Sequence, residues 1–152
     1  MKNENFLRMM SDRTLIKQKE SYFLGQVVLH DISKKIGIQG QKVYFVRFRN
    51  GAKTKLHLHH GGQTLLVVSG VGTLVLYKTN NIRGRNLKIS EVSKTKLRIG
   101  DVVYIPSNTL HWHGAIKNND FTHIAFNGFY KGSESKTIWY DSDFKSSATK
   151  IS

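Results

Sequence analysis

Two stretches decide the fold: residues 51–65, which read GAKTKLHLHHGGQTL, and residues 100–115, which read GDVVYIPSNTLHWHGA. In the first stretch, His57 and His59 stand two residues apart within an apolar run. Side chains two apart on a β-strand point to the same face, so both imidazole rings are predicted to face one side of a strand. The Gly61-Gly62 pair that follows is typical of a turn leading into the next strand.

The histidines of the chain are concentrated near these stretches. Of the seven histidines, six lie between His57 and His123, and the chain has no cysteine, so any metal must be held by nitrogen and oxygen ligands. Two histidines on one strand, with further ligands from neighbouring strands, can hold one face of a metal ion and leave positions open for substrate. We predict the ligands His57, His59, Gln63 and His111.

Short apolar runs with a period of two surround the two stretches. Turn residues separate them, and among these the pair Gly70 and Gly72 is expected to close a turn. Many short strands with regular turn signals favour an all-β sandwich or barrel. The predicted strands are Phe23–His30, Val43–Arg49, Lys55–His59, Thr64–Ser69, Thr73–Tyr77, Leu87–Val92, Val102–Ile105, His111–Ile116 and Phe121–Phe126.

The length of 152 residues fits one domain. Residues 1–20 are interpreted as a polar N-terminal arm in which Phe6 to Met10 form one or two helical turns. The β domain is assigned to residues 21–144. Residues 145–152 are polar and are predicted to be a disordered tail.

The spacing of the motif residues resembles that of the cupin superfamily. In the first motif, five residues separate Gly51 from the His57-x-His59 pair, three more precede Gln63, and six more precede Gly70. In the second motif, five residues separate Gly100 from Pro106, and His111 follows. The resemblance implies a cupin double-stranded β-helix, a jelly-roll barrel with one metal site.

The chain is most similar to one branch of that superfamily, which includes the small manganese-dependent (R)-mandelonitrile lyase cupins. The run His59-His60-Gly61-Gly62-Gln63-Thr64-Leu65, the run His111-Trp112-His113-Gly114-Ala115 and the run Thr122-His123-Ile124-Ala125 carry this resemblance. It extends from about Phe23 to Asp143. It implies an enzyme that cleaves a cyanohydrin to an aldehyde and hydrogen cyanide.

Four positions depart from the family pattern, one of them Leu56, where the family often has Trp. Gln63 stands where the first motif usually has Glu, so the predicted ligands are all neutral and a divalent ion would keep a charge near +2. Such a site suits Lewis-acid chemistry better than cycling to a higher oxidation state. His60 replaces the usual Pro and is interpreted as a solvent-facing turn residue. Asn108 replaces the usual Gly of the second motif, and we expect it to keep the turn because Asn tolerates a left-handed backbone.

Two further histidines are candidates for catalysis. His113 lies two residues after His111, on the same predicted face, and His123 shares its strand face with Asn127. An inward histidine that is not a ligand can act as a general acid or base, and the resemblance places both in the pocket, with His123 as the base. The alternative is a core histidine, or one that orients a ligand. The predicted pocket wall comprises Tyr44, Val46, Phe48 and Asn127.

Three functions are compatible with these residues. The first is a metal-dependent lyase of the hydroxynitrile type, with His123 removing a proton and His113 assisting the leaving group. The second is a metal-dependent dioxygenase, and the third is a non-catalytic cupin that binds a metal or small ligand. The cofactor is predicted to be one divalent transition metal, manganese first, with iron, cobalt, nickel and zinc also suited to nitrogen and oxygen ligands.

The formal net charge of +14 raises the question of an anionic partner. Basic residues recur at a spacing of two, as in Arg47 and Arg49 or Lys94 and Lys96, which is typical of the solvated face of a strand. We therefore expect a basic surface without specific nucleic-acid binding. No membrane span and no signal peptide are expected, which favours the cytoplasm. A homodimer is predicted, with the arm before Phe23 crossing to the partner to cover an open sheet edge.

Overall fold

The computed structural model describes residues 1–12 and 22–151. Within this part of the chain, alternating apolar residues form strands and only two short helices occur, α1 (Phe6–Ser11) and α2 (Ile32–Ile36). No helix here is long and apolar enough to cross a membrane. The strands are β1 (Phe23–Leu24), β2 (Val27–Asp31), β3 (Gln41–Phe48), β4 (Lys53–Thr54), β5 (Leu56–His59), β6 (Gln63–Thr79), β7 (Asn86–Arg98), β8 (Val102–Ile105), β9 (Leu110–Ala115), β10 (Phe121–Gly128), β11 (Thr137–Ser142) and β12 (Ser147–Lys150).

The strands pair antiparallel in two sheets that share β6. The larger sheet runs β1-β4-β9-β5-β11-β12-β7-β6, and β9 also pairs with β6, which closes this side on itself. The smaller sheet runs from β6 through β10 and β3 to β2, with β8 on the other side of β6. The predicted all-β class, a single-domain jelly-roll barrel, is confirmed.

The predicted turn at Gly70 and Gly72 is wrong, because both residues lie within strand β6. The strand is continuous, and it exchanges partners there: the residues up to Gly70 pair with β10, and those from Val71 pair with β7. Gly70 has φ of 75°, and a Cβ atom there would overlap the carbonyl oxygen of Asp120. The glycines therefore permit a bend and a close backbone approach in a strand that passes from one sheet to the other.

The space between the sheets holds the main core. Side chains alternate across each strand, so one face of β3, β10 and β6 fills the barrel interior. This interior cluster includes Val46, Phe48, Leu65 and Phe121, all of them buried. The Phe48 ring also contacts the rings of two inward histidines, so the core continues directly into the polar site described below.

Two further apolar clusters lie on the outer faces of the barrel. Leu58, Tyr140 and Ala148 belong to the cluster outside the larger sheet. Met9 of α1 packs into the cluster outside the smaller sheet. Helix α1 therefore packs on its own barrel, and residues 13–21 of the arm lie outside the described part. The homodimer with a crossing arm stays a prediction.

The prediction of a disordered tail over residues 145–152 is wrong, because part of this segment forms a strand. Ser147–Lys150 form β12, which pairs with both β7 and β11. The Asp143 carboxylate accepts hydrogen bonds from the backbone N–H groups of residues 145–147, and this turn directs the chain back to the sheet. Ala148 of this strand is buried, so one apolar residue in an otherwise polar segment packs into the core. The domain therefore extends beyond residue 144. Strand β11 was also absent from the predicted set.

Candidate metal centre

The two motif stretches meet in one strand pair. In the register of β5 and β9, His57 lies directly opposite His111, and their ring centroids are 4.2 Å apart. His59 follows on the same face of β5, with its ring 5.0 Å from that of His57. All three imidazoles are buried. Residues separated by more than fifty positions therefore converge because the strands are paired.

Hydrogen bonds fix the orientation of these three rings. The Nδ1 atom of His57 lies 2.9 Å from the Lys55 carbonyl oxygen, and that of His111 lies 2.7 Å from the Thr109 carbonyl oxygen. Because a carbonyl only accepts, Nδ1 carries the proton in both rings and Nε2 is left with a lone pair. The Nδ1 atom of His59 lies 2.9 Å from the Thr137 hydroxyl. Such partners set the tautomer that a metal ligand needs.

Gln63 is the first residue of β6, and a hydrogen bond to the neighbouring strand orients its side chain. Its Nε2 group donates a hydrogen bond of 2.8 Å to the Oδ1 atom of Asn127, the residue that faces it on β10. Its Oε1 atom is buried and has no hydrogen-bond partner in the described part of the chain. The amide therefore presents an acceptor oxygen, which is the atom that binds a cation.

The unsatisfied atoms are those that a metal requires. The Nε2 atoms of His59 and His111 are buried without a hydrogen-bond partner, as is the Gln63 oxygen. A buried polar atom without a partner costs about 1–3 kcal/mol, so this cluster is unfavourable for folding unless a ligand satisfies it. Neutral nitrogen and oxygen donors fit a divalent first-row metal ion. On this observation, the residues present fit the metal that the fold family implies.

His113 enlarges the set of candidate ligands. Among the described residues, one nitrogen from each of His57, His111 and His113 can be chosen so that the three lie within 4.8 Å of one another. His59 is not part of that group of three. Both ring nitrogens of His113 are buried without hydrogen-bond partners. The sequence interpretation assigned His113 to catalysis alone, whereas its position also allows it to be a ligand.

His123 lies next to His113 on the opposite wall. It is fully buried on β10, and the two ring centroids are 4.9 Å apart. Neither nitrogen of His123 has a hydrogen-bond partner in the described residues. The alternative of a core histidine bonded to the backbone therefore does not match its surroundings, because it packs on aromatic rings without a polar contact.

Burial keeps the inward histidines neutral. Desolvation lowers the pKa of His59 to about 3, that of His111 to about 4 and that of His123 to about 3. Burial also lowers the pKa of His57 and His113 well below the ordinary value, and in each the neighbouring histidines add to the effect. Neutral imidazole is the form that binds metal and the form that accepts a proton.

The site opens into a cavity of about 730 Å³, a size typical of small-molecule sites. Its wall contains the four residues predicted for the pocket, Tyr44, Val46, Phe48 and Asn127, together with His57, His59, Gln63, His113 and His123. Phe23 and Trp139 form an aromatic side of the cavity. Its surface is polar and apolar in similar parts, and the charged side chains of Asp31, Lys34 and Glu134 line it besides the histidines.

Sequence reasoning missed two residues of β11. Trp139 pairs with His57 across the strands, and its ring stacks on the imidazole at 4.3 Å. Thr137 pairs with His59 and supplies the hydroxyl partner of its Nδ1 atom. The β-branched and aromatic run Thr137–Tyr140 was a usable signal for a strand, but the strand that it pairs with cannot be read from the local sequence. His60, which follows His59 in sequence, does not line the cavity, and its ring lies against that of Tyr130.

The fold and the histidine site together define a cupin, and the chain belongs to the cupin family, whose model matches residues 33–139. It is similar to an (R)-mandelonitrile lyase from Granulicella tundricola, with 34% identity over 80 residues. That match covers 53% of this chain and 51% of the lyase, so it spans about half the length of the relative.

Solved structures agree with this family. A cupin-like protein from Thermotoga maritima is 31% identical, with a TM-score of 0.61 over 81% of this chain and 82% of that chain. Oxalate decarboxylase from Bacillus subtilis, a protein with Mn(II) centres, is 16% identical with a TM-score of 0.56 over 76% of this chain and 28% of that chain. At that identity the second likeness concerns the fold alone.

Proposed function

We propose that the chain is a metal-dependent lyase of the hydroxynitrile type, which cleaves a cyanohydrin to an aldehyde or ketone and hydrogen cyanide. The observation that carries this proposal is the group of buried acceptor atoms without hydrogen-bond partners in the described residues, on His59, Gln63 and His111, beside a cavity that two further neutral histidines line. The similarity to an (R)-mandelonitrile lyase over 80 residues supports the reaction type.

We propose that His57, His59, Gln63 and His111 hold one divalent metal ion, with manganese the first to test. When bound there, the metal supplies Lewis-acid polarisation of the substrate oxygen. The fixed Nδ1 protons of His57 and His111 leave Nε2 for this purpose. Because Gln63 adds no negative charge, the centre favours ligands that become anionic. This property suits a cyanohydrin oxygen that loses its proton.

His123 is the proposed general base. Its ring is neutral, it lines the cavity, and no protein group competes for its nitrogens in the described residues. The substrate hydroxyl transfers its proton to one ring nitrogen of His123, the oxygen electron pair forms the carbonyl, and the C–CN bond breaks with its electron pair on cyanide. Burial alone makes His123 a weak base, but negative charge developing on the substrate beside it raises the pKa again.

His113 is the residue that we propose stabilises the departing cyanide. Its ring lies 4.9 Å from that of His123, and one of its ring nitrogens carries a proton in the neutral form. That N–H group donates to cyanide while the protonated His123 returns the proton that yields hydrogen cyanide. Phe23 and Trp139 exclude water from one side and contact the apolar body of the substrate.

Elemental analysis of the purified protein, followed by a mandelonitrile-cleavage assay, tests this proposal. His123→Ala should keep its metal and fold but lose about 100-fold or more in rate, the usual contribution of a general base. His60→Ala is the matched control, because His60 lies close in sequence to the site yet does not line the cavity. Absence of cleavage by the metal-loaded wild type, or near-normal activity per metal-loaded His123→Ala molecule, would contradict the proposal.

A further inference from the structure

A second cavity lies on the other side of β5 from the histidines. Its volume is about 430 Å³, within the range of small-molecule sites. Leu58 lines it, and Leu58 stands between His57 and His59 on the strand, so the two cavities lie on opposite faces of the same strand. We call this second cavity the outer groove.

The floor of the outer groove is apolar. Leu58 and Tyr140 are buried beneath it, each 1% exposed, and the half-buried side chains of Ile82 and Ile138, which pack on the same cluster, provide its apolar surface. The rim is aromatic: the rings of His60 and Tyr130 meet edge to face at 6.2 Å, and Tyr130 is 44% exposed. A flat apolar ligand can therefore lie on the floor beside an exposed aromatic ring.

The charges around this groove are all positive. Arg83 and Lys150 line it, and no Asp or Glu does. Neither cation forms a salt bridge with any residue in the described ranges 1–12 and 22–151. The Nζ atom of Lys131 adds positive charge 5.3 Å from the Tyr130 ring centroid. The groove thus combines two cations without acidic partners and an apolar floor.

His60, which replaces the usual Pro of the first motif, lines this groove. It follows directly after β5, and its backbone N–H donates to the Lys136 carbonyl, which turns the residue away from the metal centre. The usual Pro at this position would remove that donor. Of the residues that depart from the family pattern, His60 and Asn108 therefore line the outer groove, whereas Gln63 belongs to the metal centre.

We infer that the outer groove binds a small organic anion with a flat apolar body, of the aromatic carboxylate class. The carboxylate pairs with Arg83 and Lys150, and the ring rests on Ile82 and Ile138 next to Tyr130. Charge and shape act together here: the cations select the anion, and the apolar floor selects its body. This inference does not depend on the proposed lyase activity, because no residue of the metal centre lines the groove.

Calorimetric titration with benzoate tests it, with acetate and benzamide as probes that lack the ring or the charge. Arg83→Gln/Lys150→Gln should weaken benzoate binding at least about tenfold, because both charge-assisted contacts are lost. Lys94→Gln/Lys96→Gln removes the same charge from exposed positions of β7 outside the groove and should leave the affinity unchanged. Binding should persist after treatment with a chelator, which separates it from any carboxylate binding at the metal.

Four results would overturn the inference. The absence of benzoate binding at roughly 10 mM would remove the site, since even millimolar affinity would be detected there. Equal weakening in the two double variants would show that the general positive field attracts the anion. Acetate binding as tightly as benzoate would mean that the floor takes no part. Loss of binding on chelation would place benzoate at the metal.

Discussion

The inner and outer faces of β5 are both buried but have opposite chemistry. Outward, Leu56 and Leu58 pack in a cluster of buried, mainly apolar side chains. Inward, His57 and His59 join a set of five buried histidines, several of whose nitrogens have no hydrogen-bond partner in the described residues. Burial on the outer face stabilises the fold, whereas burial on the inner face costs free energy and creates a binding site.

This difference teaches how one short strand can serve both stability and chemistry. Because side chains alternate, each residue of Leu56–His59 contributes to only one face, and the apolar face holds the backbone that positions the histidines. If this account is right, perturbations of the two faces should separate: one should change stability without changing metal binding, and the other the reverse.

Acid should produce the largest effect, and it acts on the inner face of the metal-free protein. Folding lowers the pKa of these histidines, so between about pH 6.5 and pH 4 the unfolded chain binds more protons and stability falls as pH falls. Between pH 7 and pH 5, each histidine that stays neutral in the folded protein lowers the free energy of unfolding by about 2 kcal/mol, because the same histidine takes up a proton in the unfolded chain. The combined loss from several such histidines approaches the whole free energy of unfolding of a small domain.

Urea unfolding of chelator-treated protein at pH 7 and pH 5 measures this acid effect. The metal-loaded protein is the control: it should be more stable at both pH values, and its stability should fall with pH at least as steeply, because its folded state also holds neutral imidazoles while the unfolded chain takes up protons. A free energy of unfolding that is equal at the two pH values in the metal-free protein would mean that the inner face does not hold neutral histidines.

Leu58→Ala perturbs the outer face of the same strand. Leu58 is 1% exposed, and truncation of a buried leucine costs about 2–5 kcal/mol through lost transfer energy and a cavity. Metal content per folded molecule should stay at the wild-type level. Chemical denaturation and elemental analysis of the same preparation check both parts, and a variant that loses metal while folded would break the separation of the two faces.

Thr137→Val tests the support of the inner face with the smallest change. It removes the hydroxyl that lies 2.9 Å from the His59 Nδ1 atom while it keeps the shape of the side chain. Loss of such a partner typically lowers metal affinity about 10–100-fold, and we expect the lower end because one ligand of several is affected. Competition with a chelator measures the affinity. Thr137→Ser, which keeps the hydroxyl, should retain the wild-type metal affinity. An unchanged affinity in Thr137→Val would show that the Thr137 hydroxyl does not support His59 as a ligand.

The sequence was sufficient for the barrel and for the convergence of the two motifs, because period-two patterning and motif spacing are local signals. Asn108 keeps the left-handed turn that was expected of it, with φ of 57°. The prediction of a turn at Gly70 and Gly72 was wrong because a glycine that permits close strand crossing has the same local signature as one that permits a turn.

The remaining differences arise from sheet partners that are distant in sequence. Ser147–Lys150 have little apolar character and become a strand because β7 and β11 leave backbone groups to pair with them. The roles of Thr137 and Trp139 follow from the register of β11 against β5, which no local pattern reveals. His113 likewise enters the group of candidate ligands only through its distance to His57.

Metal analysis of the double variant His59→Ala/His111→Ala tests the central claim most directly. The matched control is His30→Ala/His60→Ala, which removes two histidines that do not line the site cavity. We predict stoichiometric metal in the wild type and in the control, and none in the double variant at comparable folded content. A folded double variant that still binds stoichiometric metal with unchanged affinity would contradict the account and would place the metal elsewhere.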